Sequence, residues 1–256
     1  MIIKNLFRLL LFALAIVSCN QRQIFSQDRK NLPLEEPCLS IDSLFEKCID
    51  FKKVRTLDKT RFLLLQNIPL VESYKKISNN NCIDSLSIFN TDPVYFNADF
   101  VNRFEKISKL EISCNSIIQF DQLSKFNNLK ELKILTANPI ELKPEKKLQN
   151  SVVNLKIYYI SNASQLTNRF TKLRDLEFNS IDFTLSDFDS SFILTLSNIE
   201  RIKFDHCNIN NEMVKLLNFS GVKYINFYMT KVSKASAIEL KMKHPNIEII
   251  YNNEIL

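Results

Sequence analysis

The sequence predicts an α/β fold: short parallel strands on one face of a repeating unit, short helices or 3-10 turns on the other, behind a helical N-terminal cap. Three observations carry this. An apolar frame recurs seven times, starting at Ile83, Ile107, Leu129, Val152, Leu173, Ile199 and Val222. The steps between starts are 24, 22, 23, 21, 26 and 23 residues, a spacing that repeat architectures keep. Between the later copies lie stretches with helical character, NNEMVKLL at 210–217 and SKASAIELKMK at 233–243.

From the N-terminus, residues 1–18 read as a secretory leader. Lys4 and Arg8 precede an unbroken apolar run from Leu9 to Val17, then Ser18 and Cys19. Nine apolar residues are too few to span a bilayer, which needs ~20. Ile16-Val17-Ser18-Cys19 resembles the bacterial lipobox. That resemblance implies cleavage before Cys19, a diacylglycerol on its sulfur, and effectively permanent anchoring at the cell envelope, expected at the outer membrane. Residues 19–38, polar and carrying Pro33 and Pro37, read as a tether.

Residues 39–80 read as the helical cap that a repeat stack needs to shield its first core surface. In 40–51, Ile41, Leu44, Phe45, Cys48 and Ile49 share one helical face, behind Ser40 or Asp42 as N-cap. Residues 61–77 are expected to give a second, shorter helix broken near Pro69. After Cys19 five cysteines remain: Cys38, Cys48, Cys82, Cys114 and Cys207. The odd count leaves at least one free thiol, and Cys38–Cys48 or Cys48–Cys82 are alternative clamps.

Residues 81–256 hold the repeats. ISKLEISCNSI (107–117) reads apolar-x-x-apolar-x-apolar-x-x-Asn-x-apolar. IERIKFDHCNI (199–209) keeps the frame with Cys207 in the place of Asn115, and VKYINFYMTKV (222–232) with Thr230. IDSLSIFNT (83–91) is an earlier copy ending at Thr91, and IEIIYN (247–252) a truncated last one with Asn252. This pattern resembles the leucine-rich repeat family. The resemblance implies a solenoid of seven to eight repeats, with a parallel sheet on a concave face that usually binds partners. Leu110 and Ile112 alternate with Glu111, so two side chains of each strand point inward and one outward. The Asn/Cys/Thr position is expected to face inward at the turn and to bond backbone amides there. Asp205, His206 and Cys207 stand in a row, yet this register makes Cys207 an interior residue rather than a nucleophile.

The expected function is non-catalytic binding of a protein or glycan through the concave face, with a structural envelope protein as the alternative. A cysteine- or metal-dependent hydrolase is the least supported reading. The single glycine, Gly221, excludes phosphate-cradling loops and the nucleophile elbow. No cofactor, metal site or nucleic acid is expected. The formal charge is +6, falling to 32 basic against 28 acidic residues without the leader, and the basic residues are scattered among acids. The middle outward column is predicted as Ser87, Glu111, Lys133, Lys156, Glu177, Lys203, Asn226 and Glu248. The next column contributes Leu135, Tyr158, Asp205, Tyr228 and Ile250. Tyr158, Tyr224, Tyr228, Arg201, Asp205 and Leu135 are the candidate ligand contacts, because tyrosines beside charges suit an interface.

Overall fold

The apolar frame folds as strands. The computed structural model describes residues 62–66 (backbone only), 83–90, 93–136, 138–142, 148 and 151–256, all within the unit Leu44–Leu256. Cys19, the tether, Cys38, Cys48, Cys82, Thr91 and the expected cap other than 62–66 lie outside the described residues.

In chain order the main sheet is built from β1 (Phe62–Gln66), β2 (Ser85–Phe89), β4 (Lys109–Cys114), β6 (Glu131–Thr136), β7 (Asn154–Tyr158), β8 (Asp175–Asn179), β9 (Arg201–Asp205), β10 (Tyr224–Tyr228), β11 (Glu248–Tyr251) and β12 (Glu254–Ile255). The spatial order equals the sequence order. The first nine strands are parallel, and β12 turns back antiparallel on β11. Short β3 (Val94–Tyr95) and β5 (Ile117–Ile118) form a separate parallel pair. The connections hold α1 (Ala98–Arg103), α2 (Ala163–Thr167), α3 (Ser190–Ser197), α4 (Asn211–Leu216), α5 (Lys234–Lys243) and two 3-10 turns, Phe120–Lys125 and Leu185–Asp187. The chain is thus α/β, with a mostly parallel sheet and few short helices. No helix among the described residues is long and apolar enough to cross a membrane.

The register turns the sequence frame into two buried columns. Leu86, Leu110, Leu132, Leu155, Leu176, Ile202, Ile225 and Ile249 pair across successive strands, as do Ile88, Ile112, Ile134, Ile157, Phe178, Phe204 and Phe227. All are buried, in one core that includes residues of the helices and turns behind the sheet. Phe178, Phe204 and Phe227 stack nearly flat, with centroids 5.6 and 5.9 Å apart. Four helices start alike: the side chains of Asn97, Asp189, Asn210 and Ser233 accept the amides of Phe100, Phe192, Met213 and Ser236, three residues on.

Four departures from the sequence reading have physical causes. Phe62–Gln66 is a strand paired in parallel with β2, not part of a helix over 61–77. A short apolar run such as FLLLQ fits either element, and pairing with β2 decides it. In β4 the inward alternation runs one residue further than expected, so Cys114 is fully buried and Asn115 is only half-buried. Thr136 takes the matching interior place in β6. The last copy is shifted by two: Glu248 pairs with Tyr224, and Ile250, not Glu248, stands beside Asn226. Asn252 is therefore an exposed turn residue, whose side chain accepts the Met229 amide at 2.8 Å, rather than an interior one.

The turns after β7, β8, β9 and β10 share a backbone device that the sequence did not signal. Tyr159, Ser180, His206 and Met229 have φ of 62°, 54°, 52° and 49°, the left-handed region. The amides of the first three extend the sheet ladder, donating to the carbonyls of Asn179, Asp205 and Tyr228 at 3.2, 2.9 and 2.9 Å. After these three the next residue, Ile160, Ile181 or Cys207, is buried, which is how Cys207 enters the core two positions after Asp205. Gly221 serves a different need. A Cβ there would lie 2.3 Å from the Ser197 carbonyl oxygen, so only glycine permits this backbone approach.

Candidate functional site

The outward face of the sheet carries the predicted residues as a lattice of paired charges and tyrosines. Glu111 receives Lys133 Nζ at 2.7 Å. Glu177 sits between Lys156 (3.3 Å, on Oε2) and Lys203 (3.4 Å, on Oε1), and its Oε1 also accepts the Tyr158 hydroxyl at 3.4 Å. Lys203 reaches Asp205 Oδ2 at 2.7 Å, and Asp205 Oδ1 lies 2.6 Å from His206 Nδ1. One row nearer the strand starts, Lys109 pairs with Glu131 at 2.9 Å and Arg201 with Asp175 at 3.5 Å. The cross-strand ion pairs form because parallel in-register strands bring successive copies of one position to ~4.8 Å, whereas Lys203–Asp205 and Asp205–His206 are made within one strand and its turn.

The six candidate contacts separate into two groups. Leu135 and Tyr158 are cross-strand neighbours, with Lys133 Nζ 5.3 Å from the Tyr158 ring centre. Two and three strands beyond Tyr158, on β9 and β10, the Arg201 guanidinium lies 4.5 Å over the Tyr224 ring, and Asp205 pairs with Tyr228, whose ring meets His206 edge-on. A depression of about 420 Å³ opens beside the second group, lined by Asn154, Lys156, Asp175, Leu176, Glu177, Arg201, Ile202, Lys203 and Tyr224. Of the predicted contacts it includes Arg201 and Tyr224. Asp175, Glu177 and Asn154 were not singled out as contacts, although their place in the repeat frame was readable.

Electrostatics hold the lattice in its charged form. Burial works against the Asp205 charge, but hydrogen bonds from Lys203 and His206 outweigh it and keep the carboxyl below the usual carboxylate range. Burial likewise opposes the charge on Lys203, and Asp205 and Glu177 outweigh it, raising the ammonium. The Tyr158 phenol is raised by burial and then by the neighbouring Glu177 carboxylate.

The Asp205-His206-Cys207 row does not assemble as a nucleophile and base. His206 is turned to Asp205 on the outer side. Cys207 is buried, its Sγ 3.5 Å from the Phe178 carbonyl and 3.4 Å from that of Asp205. Burial pushes its thiol up to about 11, and that of Cys114 to about 12, the reverse of what an attacking thiolate requires. Thr230 is half-buried at its turn, and its hydroxyl accepts the Val232 amide at 3.4 Å. Among the described residues no three His, Cys, Asp or Glu side chains are gathered to hold a metal ion.

Two residues that sequence reasoning passed over hold the returns together. The Asn162 amide accepts the Ile140 amide at 3.1 Å and donates to the Ile140 carbonyl at 2.8 Å. Asn208 does the same to Phe183, at 2.7 and 2.9 Å. Each side-chain amide copies a peptide group and pairs with the preceding connection as a strand would.

No protein-family model matches the sequence, and no curated protein matches it. Among solved structures, the chain is similar to a crystal structure of a protein from Bacteroides fragilis, determined as a structural-genomics target. The identity is 12%, the match covers 94% of this chain and 82% of that one, and the TM-score is 0.50, a likeness of fold alone.

Proposed function

We propose that the chain is a leucine-rich-repeat solenoid, lipid-anchored at Cys19 in the cell envelope, that binds a protein or glycan partner through the outward face of its parallel sheet. What supports the repeat reading is the coincidence of the sequence frame with the strand register over seven strands of the main sheet, β2 to β10, in sequence order. What supports binding is the lattice itself. Tyr158, Tyr224 and Tyr228 stand half-buried, each fixed by a charged or aromatic neighbour, and fixed aromatic groups lose little entropy when a partner arrives.

The test is a variant with Tyr158, Tyr224 and Tyr228 all changed to Ala, compared with wild type by photo-crosslinking in cells from a probe beside the face. The expected result is loss of the crosslinked partner with little change in Tm. An unchanged crosslink would sink the binding-face reading and favour a scaffolding role. Anchoring is tested by Cys19→Ala with protease shaving of whole cells. The variant should leave the membrane fraction, and cleavage of the wild type on intact cells would put the partner outside.

A further inference from the structure

The depression between β7 and β10 is a hollow in the face whose charges are already satisfied by one another. We propose that it is a binding site for a neutral polyhydroxylated ring, a sugar unit of an uncharged glycan. This rests on the binding-face reading above and narrows it.

Three observations select that chemistry. First, the charges balance: Lys156 and Lys203 share Glu177, Lys203 also holds Asp205, and Arg201 holds Asp175. A strongly charged ligand would have to break such pairs or accept a site without net attraction. Hydroxyl groups need not, because each can donate to a carboxylate and accept from an ammonium at once. Second, the Arg201 guanidinium lies 4.5 Å over the Tyr224 ring and both line the depression, so a planar group held against an aromatic one forms part of its wall, a surface on which a sugar ring can pack. Third, the volume of about 420 Å³ falls in the range of small-ligand sites, ~300–1,000 Å³. The ion pairs also fix the side chains before binding, which lowers the ordering cost that weakens most exposed polar sites.

The experiment is saturation-transfer NMR and calorimetry on the full-length protein in detergent. The probes are neutral hexasaccharides of glucose, mannose, xylose and N-acetylglucosamine, with polygalacturonate as an anionic control. At least one neutral series should bind, with an affinity little changed by added salt. Arg201→Lys keeps the charge but loses the plane, so it should weaken binding about tenfold, as should Tyr224→Ala. Lys109→Ala, on β4 and outside the depression, should change it less than about twofold. Absence of binding by every neutral probe would overturn the proposal. So would tighter, salt-sensitive binding of polygalacturonate, which would mark an anion site. If no sugar binds while the triple tyrosine variant still loses its crosslinked partner, the sugar assignment falls and the binding face stands. If sugar binding is absent and the crosslink also persists, both fall.

Discussion

At the scale of single residues, the left-handed turns are the least expected feature of a chain with one glycine. A residue with a Cβ in this region costs ~1–2 kcal/mol, and four successive turns incur that cost at Tyr159, Ser180, His206 and Met229. Met229 is 57% exposed, so its side chain has little packing to lose. Met229→Gly should therefore stabilise the protein by roughly 0.5–1 kcal/mol, after the extra unfolded-state entropy of glycine is subtracted. Thermal unfolding should show a rise of a few degrees, and a fall would mean that the turn is held by the Met229 side chain. Asp205 gives a second residue-scale expectation. Its carboxyl is lowered in the folded state, so its stabilising contribution is complete above the ordinary carboxylate pKa and disappears as pH falls through the lowered value. Asp205→Asn should be less stable than wild type by on the order of 1 kcal/mol near neutrality. The gap should close progressively below about pH 5. A gap constant down to the acid limit would show that the carboxylate contributes by packing instead.

At the scale of elements, the connections are stitched by asparagines. Asn208 makes two hydrogen bonds to the backbone of Phe183, and its loss leaves a peptide group without partners in a partly buried place. Asn208→Ala should destabilise by ~2 kcal/mol, read from denaturant midpoints at constant m-value. Asn208→Asp should not recover it, because its carboxylate would face the Phe183 carbonyl and the Asp182 carboxylate, the two acceptors of the Asn208 amide. How much of this was legible divides along physical lines. The strands were readable because a period of two is imposed on every copy by one buried face. Cys207 was placed inside by the same logic. Cys114 was missed because β4 continues its alternation where β9 inserts a left-handed residue, and no glycine marks the difference. Asn162 and Asn208 were passed over because they lie in returns of unequal length. The outward column was readable through Asn226 and slipped at β11, where the expected Glu248 stands two residues before Ile250, the actual neighbour of Asn226.

At the scale of the whole described structure, sequence order and sheet order coincide, so each strand's support comes from its two neighbours along the chain. Damage should stay local. Phe204 is the middle ring of the Phe178-Phe204-Phe227 stack, and Phe204→Ala should cost ~3–5 kcal/mol. Hydrogen exchange should show β8 to β10 losing protection well before β2 to β6. Uniform loss across all strands would mean that the sheet melts as one cooperative body. The depression that carries the sugar proposal lies within this same segment, so ligand should selectively protect it.

The two-residue return of β12 against β11 has a consequence for how copies meet. A parallel sheet with an open last strand is a template on which another chain can lay its own backbone. Here that row of hydrogen-bonding groups is occupied by Ile255 and Glu254, and the new border they present is only two residues long. A neighbouring molecule arriving at this end finds too little backbone to grip, so the strand ladder stops there instead of seeding a fibre.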